Sequence, residues 1–207
     1  MRFNKNKYAI VRKVLSKNEA DIFYSYLLNK RKLATALFEN KLISPFCFDY
    51  GTWNDNQIPD TYSVYGDLLM DTLLEKMQPL MEKTTKLKLF PNYSYTRVYK
   101  KGDILKRHKD RNSCEISTTL NLGGDSWPIY LEPSGQENKK GIEVNLNPGD
   151  MLIYRGCDLE HWREPFEGET CGQVFLHYNN EDSDIEGQKL YDGRICLGLP
   201  QGFRNCQ

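Results

Sequence analysis

The spacing of hydrophobic residues changes near residue 87. Ahead of that point, apolar residues recur with helical spacing in two segments. The first segment follows Ser16, which forms with Glu19 the sequence pattern of an N-terminal capping box. Its apolar stripe consists of Ala20, Phe23, Leu27 and Leu28. The pattern therefore predicts an amphipathic helix that begins directly after Ser16.

A second helix is predicted from about Gly66 to Lys86, and Pro79 inside it should kink or split it. The apolar run at residues 8–11 favours an opening strand. Residues 44–60 are rich in Gly, Pro, Asn and Asp, which is typical of a long loop. Such a loop is long enough to act as a lid, while its Tyr50 and Trp53 are expected to serve as packing anchors.

From residue 87 onward the apolar residues alternate with polar ones, as in half-buried strands. The predicted strands are 93–99, 104–109, 114–122, 128–132, 141–146, 151–154, 159–163 and 172–178. Turn sequences such as Pro148-Gly149-Asp150 separate them. Many short strands with regular turns indicate a sandwich or barrel, so the fold class is mostly β with flanking helices.

Length and composition bound the possible functions. The 207 residues suffice for one domain with a full core, and 28 basic residues balance 28 acidic ones. This balance gives no sign of a nucleic-acid partner, and no run approaches the ~20 apolar residues of a membrane span. The six cysteines form no Cys-x-x-Cys pair, which favours reduced thiols and a cytoplasmic location.

The candidate chemistry centres on His108-Lys109-Asp110. On a strand, side chains two residues apart point to the same face, so His108 and Asp110 could reach one metal ion. His161, from a distant strand, would complete a set of two histidines and one carboxylate. This set leaves metal positions open for substrate and O₂, as in non-haem Fe(II) oxygenases.

Several further motifs surround these three residues. They are Tyr95-Thr96-Arg97-Val98-Tyr99, Gly102, the run from Thr118 to Leu122, the run from Pro148 to Tyr154, and Pro165 four residues after His161. With the 53-residue separation of His108 and His161, this pattern resembles the prolyl 4-hydroxylase-like branch of the 2-oxoglutarate/Fe(II)-dependent dioxygenases. The resemblance covers residues 87–180 well.

The resemblance implies a double-stranded β-helix, or jelly roll, over residues 87–180. The whole chain, 1–207, would be one dioxygenase domain, with helices and a loop in 1–86 and a C-terminal tail in 181–207. It also implies that His108, Asp110 and His161 are the catalytic iron ligands. The implied cofactors are Fe(II), 2-oxoglutarate and O₂. Ascorbate is a further candidate cofactor.

One position departs from the family pattern. A Lys or Arg about nine or ten residues after the second histidine usually binds the distal carboxylate of 2-oxoglutarate, but this chain has Thr170-Cys171-Gly172-Gln173 there. Arg163 is predicted to replace it, since it shares a strand face with His161 and suits a bidentate carboxylate contact. The alternative is an exposed Arg163 paired with Glu160 or Glu164.

The remaining candidates for the co-substrate site are less specific. Tyr99, Thr119 and Gln173 are predicted hydrogen-bond partners of 2-oxoglutarate, and ordinary strand packing is the alternative for the first two. Arg97 and Arg155 are reserve candidates for the cationic position. His177, the third histidine, is expected in the pocket wall rather than on the metal.

The resemblance favours hydroxylation of a prolyl residue in a peptide or protein, followed by a free amino acid or small peptide. Two other readings stay open. One is a jelly-roll binding module without turnover. The other is a cupin-type metalloenzyme that uses His108, His161 and His177 without 2-oxoglutarate.

Overall fold

A computed structural model describes residues 2–136, 139–183 and 189–204. Its helices are α1 (Arg2–Asn6), α2 (Lys17–Glu39) and α3 (Leu68–Thr85). Helix α2 begins as predicted, because Ser16 and Glu19 form the reciprocal hydrogen bonds of a capping box. Helix α3 is capped by Asp67, whose carboxylate accepts from the backbone N–H groups of Leu69 and Met70. No helix in these ranges is long and apolar enough to cross a membrane.

Ten strands are present within the described residues. They are β1 (Tyr8–Val11), β2 (Tyr62–Tyr65), β3 (Leu89–Lys100), β4 (Leu105–His108), β5 (Ile116–Gly124), β6 (Ile129–Glu132), β7 (Ile142–Val144), β8 (Met151–Arg155), β9 (Glu160–Arg163) and β10 (Thr170–Asn180). The larger sheet has the order β1-β8-β5-β10-β3-β2, and the smaller has β4-β9-β6-β7. All of these pairings are antiparallel.

Side-chain alternation gives the larger sheet two different faces. One face packs on α2 and α3 and includes Leu120, Ile153, Val174 and Leu176. The other faces the smaller sheet, where Leu152 and Tyr154 pack on Ile129 and Leu131. The polar residues Thr119, Gln173 and His177 also lie on this inner face, and all are buried. The space between the two sheets is therefore the place where an enclosed active site could lie. The two facing antiparallel sheets also confirm the predicted jelly-roll core.

The predicted strands all occur, with ends that differ by a few residues. Of the α-helices and strands, two were not predicted: the short helix α1 and strand β2, which pairs with β3 at one edge of the larger sheet. The split at Pro79 does not occur, because α3 continues through it. Pro79 and Glu75 are both exposed, so the carbonyl of Glu75 that loses its helical partner can face water.

The C-terminal segment is anchored to α3 by a buried ion pair. Asp71 accepts from the guanidinium of Arg194 at 3.0 Å and from the Gly198 N–H at 2.7 Å, and neither charged side chain is exposed. The other oxygen of Asp71 accepts from the backbone and hydroxyl of Ser94. A buried charge pair needs such complete hydrogen bonding to be tolerated. In the same segment Asp192 accepts from Arg111, a residue that lines the cavity described below.

Candidate active site

The structure brings His108, Asp110 and His161 together between the two sheets. Each offers one potential ligand atom, and these three atoms lie within 4.8 Å of one another. Asp110 Oδ1 is 3.5 Å from His108 Nε2 and 3.4 Å from His161 Nε2. His108 ends β4 and pairs with His161 in β9. Asp110 lies just beyond the end of β4 rather than on it, and its backbone N–H donates to the Gly156 carbonyl at 2.9 Å.

Both imidazoles are oriented by a backbone carbonyl two residues earlier. Nδ1 of His108 lies 2.8 Å from the Lys106 carbonyl, and Nδ1 of His161 lies 3.0 Å from the Leu159 carbonyl. A carbonyl only accepts, so the proton of each neutral ring is on Nδ1 and the lone pair is on Nε2. Carbonyl partners of this kind commonly fix the tautomer of a metal-binding histidine.

The pKa values of Asp110 and His161 are shifted in the directions expected for a carboxylate that lies between two imidazoles. Burial raises the pKa of Asp110, but the positive charge of His161 when that ring is protonated, together with the approach of both histidines, outweighs it and holds that pKa well below its usual range. Burial lowers the pKa of His161, yet the Asp110 carboxylate raises it by more. Asp110 is therefore an anion that faces two nitrogen donors.

A cavity of about 310 Å³ opens over these residues. Its aromatic wall includes Tyr93, Tyr95, Tyr154 and Phe175. Two larger cavities adjoin it. One shares Asp55, Tyr93, Tyr95 and Arg111 with it, and the other shares Gln57 and His108. The site therefore adjoins two further cavities.

The loop at residues 44–60 contributes two side chains to the cavity that the sequence did not reveal. Gln57 Nε2 lies 2.9 Å from His108 Nε2, and the Asp55 carboxylate pairs with Arg97 and accepts from the Tyr95 hydroxyl. Gln57 donates to the lone pair of His108, which shows that this lone pair faces the cavity. Trp53 packs against Phe38 and Tyr62, as expected of a packing anchor.

Arg163 is buried, with 1% of its surface exposed, and it pairs with neither Glu160 nor Glu164 among the described contacts. Its Nη1 donates to the Trp127 carbonyl, and its Nη2 donates to Thr119 Oγ1 at 3.3 Å. Its Nε has no hydrogen-bond partner in the described part of the chain. A buried guanidinium with an unused donor is suited to a ligand carboxylate.

Tyr99, Thr119 and Gln173 lie around Arg163. The Tyr99 hydroxyl is buried and lacks a partner within the described ranges, and burial raises its pKa against the opposing effect of Arg97 and Arg163. Thr119 Oγ1 donates to Gln173 Oε1 at 3.0 Å, and Gln173 Nε2 contacts Cys171 Sγ at 3.1 Å. The small Cys171 therefore stands where the family pattern has a basic residue, next to the unused donors.

The two reserve arginines occupy different surroundings. Arg97 lines the cavity and is 3% exposed, with Asp55 as its charge partner. Arg155 lies 3.6 Å from Glu115, and neither Arg155 nor Arg163 is among the residues that line the cavity. Arg97 therefore stays a candidate for an acidic ligand group near the metal site.

His177 lines the cavity wall, as expected, and it stacks near Tyr93 with ring centres 4.6 Å apart. Burial lowers its pKa to about 4. A second group with metal-ligand spacing combines His177 with Asp110 and Cys114. Ser117 contacts both Asp110 and His177, and Cys114 Sγ lies 3.0 Å from the Tyr93 hydroxyl, so these side chains already have partners.

The five cysteines within the described residues are free, and Cys206 lies outside them.

No protein-family model and no curated protein matches the sequence. Solved structures do match. A prolyl-4-hydroxylase from Pseudomonas putida superposes with a TM-score of 0.63 at 11% identity, covering 87% of this chain and 96% of that one.

Two further matches contain the co-substrate. HygX from Streptomyces hygroscopicus, with nickel and 2-oxoglutarate bound, gives a TM-score of 0.62 at 14% identity over 91% of this chain and 92% of that one. A viral collagen prolyl hydroxylase from Paramecium Bursaria Chlorella virus-1, a 2-oxoglutarate complex, gives 0.54 at 11% identity over 84% and 97%. Another HygX structure also contains hygromycin B. The chain therefore has the fold of the 2-oxoglutarate/Fe(II) oxygenases and resembles their prolyl 4-hydroxylase-like branch.

Proposed function

We propose that the protein is a 2-oxoglutarate- and Fe(II)-dependent dioxygenase that hydroxylates a C–H bond. The observation that carries the proposal is the convergence of His108, Asp110 and His161 within 4.8 Å, inside the fold of that enzyme class. Two neutral imidazoles and one carboxylate are the donor set of non-haem Fe(II) oxygenases, and they leave metal positions open.

The side chains fit the metal in charge and orientation. The Asp110 anion would offset part of the Fe(II) charge, and both imidazoles have their Nδ1–H bonded to backbone, which leaves Nε2 for the metal. When bound there, Fe(II) with 2-oxoglutarate and O₂ would supply the oxidising chemistry, with succinate and CO₂ as co-products. The protein itself would orient the reactants and exclude water.

Arg163 is the proposed partner of the distal carboxylate of 2-oxoglutarate. Its buried position and its unused Nε support this role, because a buried anion needs a paired, hydrogen-bonded cation. The unpartnered hydroxyl of Tyr99 is proposed to donate to the same carboxylate, whereas Thr119, whose one hydroxyl proton goes to Gln173, is proposed to accept from Arg163 and hold its guanidinium in place. Gln173 is proposed to hold Thr119 in place, since the two are bonded at 3.0 Å.

The adjoining cavities favour an extended substrate. Two of them share residues with the metal-site cavity, so a peptide segment could pass across His108. A prolyl residue in a peptide or protein is therefore the first proposed substrate. The pair formed by half-buried Asp55 and buried Arg97 offers both charges to a small zwitterion, which favours a free amino acid or small peptide as the second.

The test of the proposal is succinate release on adding Fe(II) and 2-oxoglutarate, with and without ascorbate. A library of proline-containing peptides and a panel of amino acids are then compared for a mass increase of one oxygen atom. Metal binding without succinate release under any of these conditions would instead indicate a jelly-roll binding module.

Gln57 is expected to compete with the metal for His108. Replacing Gln57 by alanine should tighten metal binding by about 2- to 10-fold, because one hydrogen bond contributes about 0.5–1.5 kcal/mol net. Calorimetric titration with Mn(II) measures this, and Asn56→Ala, in the same exposed loop, is the control. Weaker Mn(II) binding in Gln57→Ala would mean that Gln57 supports the metal site instead.

A further inference from the structure

A chain of hydrogen bonds runs from Asp110 to His177 through Ser117. Ser117 Oγ lies 2.9 Å from Asp110 Oδ2 and 3.0 Å from His177 Nδ1. It also lies 2.9 Å from the Cys114 carbonyl. Ser117 is fully buried on β5, and His177 is 6% exposed on the adjacent strand β10, where the two residues are paired in register. This chain, Asp110–Ser117–His177, is called the relay below.

The donors in the relay follow from counting protons. The Ser117 hydroxyl has one hydrogen, and its neighbours Asp110 Oδ2 and Cys114 O only accept. One hydroxyl hydrogen cannot serve three acceptors, so we assign the imidazole proton of His177 to Nδ1, where it donates to Ser117 Oγ. The hydroxyl can then donate to the Asp110 carboxylate. His177 Nε2 retains a lone pair, and it has no hydrogen-bond partner among the described residues.

Gly156 packs directly against the atoms of the relay and leaves no room for a side chain at that position. A Cβ at residue 156 would lie 2.4 Å from Asp110 Oδ2, 2.4 Å from the Cys114 carbonyl and 2.8 Å from Ser117 Oγ. Real Cβ atoms do not approach other atoms so closely, so only glycine fits here without displacing the carboxylate. The Gly156 carbonyl also accepts from the Asp110 backbone N–H. The backbone and the hydroxyl together fix how the carboxylate is turned.

We propose that Ser117 and His177 are positioning residues for Asp110: by holding Oδ2, they leave Oδ1 alone to face the metal. The proposal rests on the metal site proposed above. A carboxylate held in this way binds a metal through one oxygen, which keeps the other metal positions free for 2-oxoglutarate and O₂. Without the relay, Asp110 can rotate and offer both oxygens. His177 would thus act on the metal without touching it.

The experiment compares Co(II) binding and the visible Co(II) spectrum in variants of the full chain. Ser117→Ala removes both bonds of the relay, His177→Phe keeps a ring of similar shape without a donor, and His177→Asn restores an N–H near the position of Nδ1. Thr85→Ala is the matched control, since it also removes a buried hydroxyl but lies on α3. Asp110→Ala removes the proposed ligand itself.

The expected result is a loss of Co(II) affinity of about 10- to 100-fold in Ser117→Ala, the range found when an outer partner of a metal ligand is removed. His177→Phe should show the same change in the Co(II) spectrum, and His177→Asn should recover most of the wild-type spectrum. Thr85→Ala should bind Co(II) like wild type. Thermal unfolding of each variant separates weakened binding from loss of the fold.

Two results would overturn the proposal in distinguishable ways. Suppose that Ser117→Ala and His177→Phe retain the wild-type affinity and spectrum while Asp110→Ala loses Co(II). This result supports the proposed metal site and rejects the positioning role of Ser117 and His177. If Asp110→Ala also binds Co(II) like wild type, the metal site itself is wrong. Should Ser117→Ala fail to fold, the pair His177→Phe and His177→Asn decides the question alone.

Discussion

Asp110→Ala is expected to abolish Fe(II)-dependent succinate release and to weaken metal binding by more than ~100-fold. The loss should exceed the ~10–100-fold caused by removing an outer partner, because Asp110 is the proposed anionic ligand itself. Both imidazoles would also lose the carboxylate that lies 3.4–3.5 Å from their Nε2 atoms. Succinate assays at increasing Fe(II) and a calorimetric Mn(II) titration measure the two effects.

A matched control is Asp158→Ala, because Asp158 is a carboxylate in an exposed ion pair with Lys7. It should leave metal binding unchanged. The result also separates the two metalloenzyme readings: a site built from three histidines would keep its metal in Asp110→Ala. Iron-dependent turnover in that variant at the wild-type rate would therefore reject the present assignment.

Arg163→Ala is expected to raise the 2-oxoglutarate concentration needed for half-maximal turnover by about 10²- to 4 × 10³-fold. Removing one partner of a buried, hydrogen-bonded charge pair costs about 3–5 kcal/mol, and each 1.4 kcal/mol is a factor of ten. Arg163→Lys should recover part of the loss, since lysine keeps the charge but not the planar pair of donors. Succinate release at increasing 2-oxoglutarate measures the change.

Arg155→Ala is the control, because Arg155 is an arginine that already lies 3.6 Å from a carboxylate of this chain, Glu115. Arg97→Ala tests the buried arginine that lines the cavity. An unchanged requirement for 2-oxoglutarate in Arg163→Ala, together with a raised one in Arg97→Ala, would move the carboxylate site to Arg97. Since Arg163 also donates to the Trp127 carbonyl, thermal unfolding of Arg163→Ala must accompany the assay.

The sequence predicted the strands well because their alternation is a local property that burial on one face imposes. The position of Arg163 followed from the same rule, since it shares the inner face of β9 with His161, and both are buried. The absence of a basic residue at Cys171 is the sequence feature that predicts another cation for the co-substrate, and Arg163 stays a prediction for that role. Strand β2 was not predicted, because it has only four residues and directly follows a long loop.

Other parts of the site could not be read from the sequence. Gln57 lies 51 residues from His108, and Ser117 lies 60 residues from His177, so neither contact leaves a local pattern. Asp55 and Gln57 stand in a polar loop where such residues are ordinary. Asp110 was expected on a strand but follows its end, because its backbone bonds to Gly156 rather than to a neighbouring strand.

Both outer strands of the larger sheet come from the first third of the chain, since β1 covers β8 and β2 covers β3. A fragment limited to residues 87–180 would keep the three proposed iron ligands but leave two rows of backbone N–H and C=O groups open to other molecules. Exposed edges of this kind promote intermolecular pairing. Such a fragment is therefore expected to aggregate, and truncation from the N-terminus would remove the protection against self-association before it removed any catalytic group.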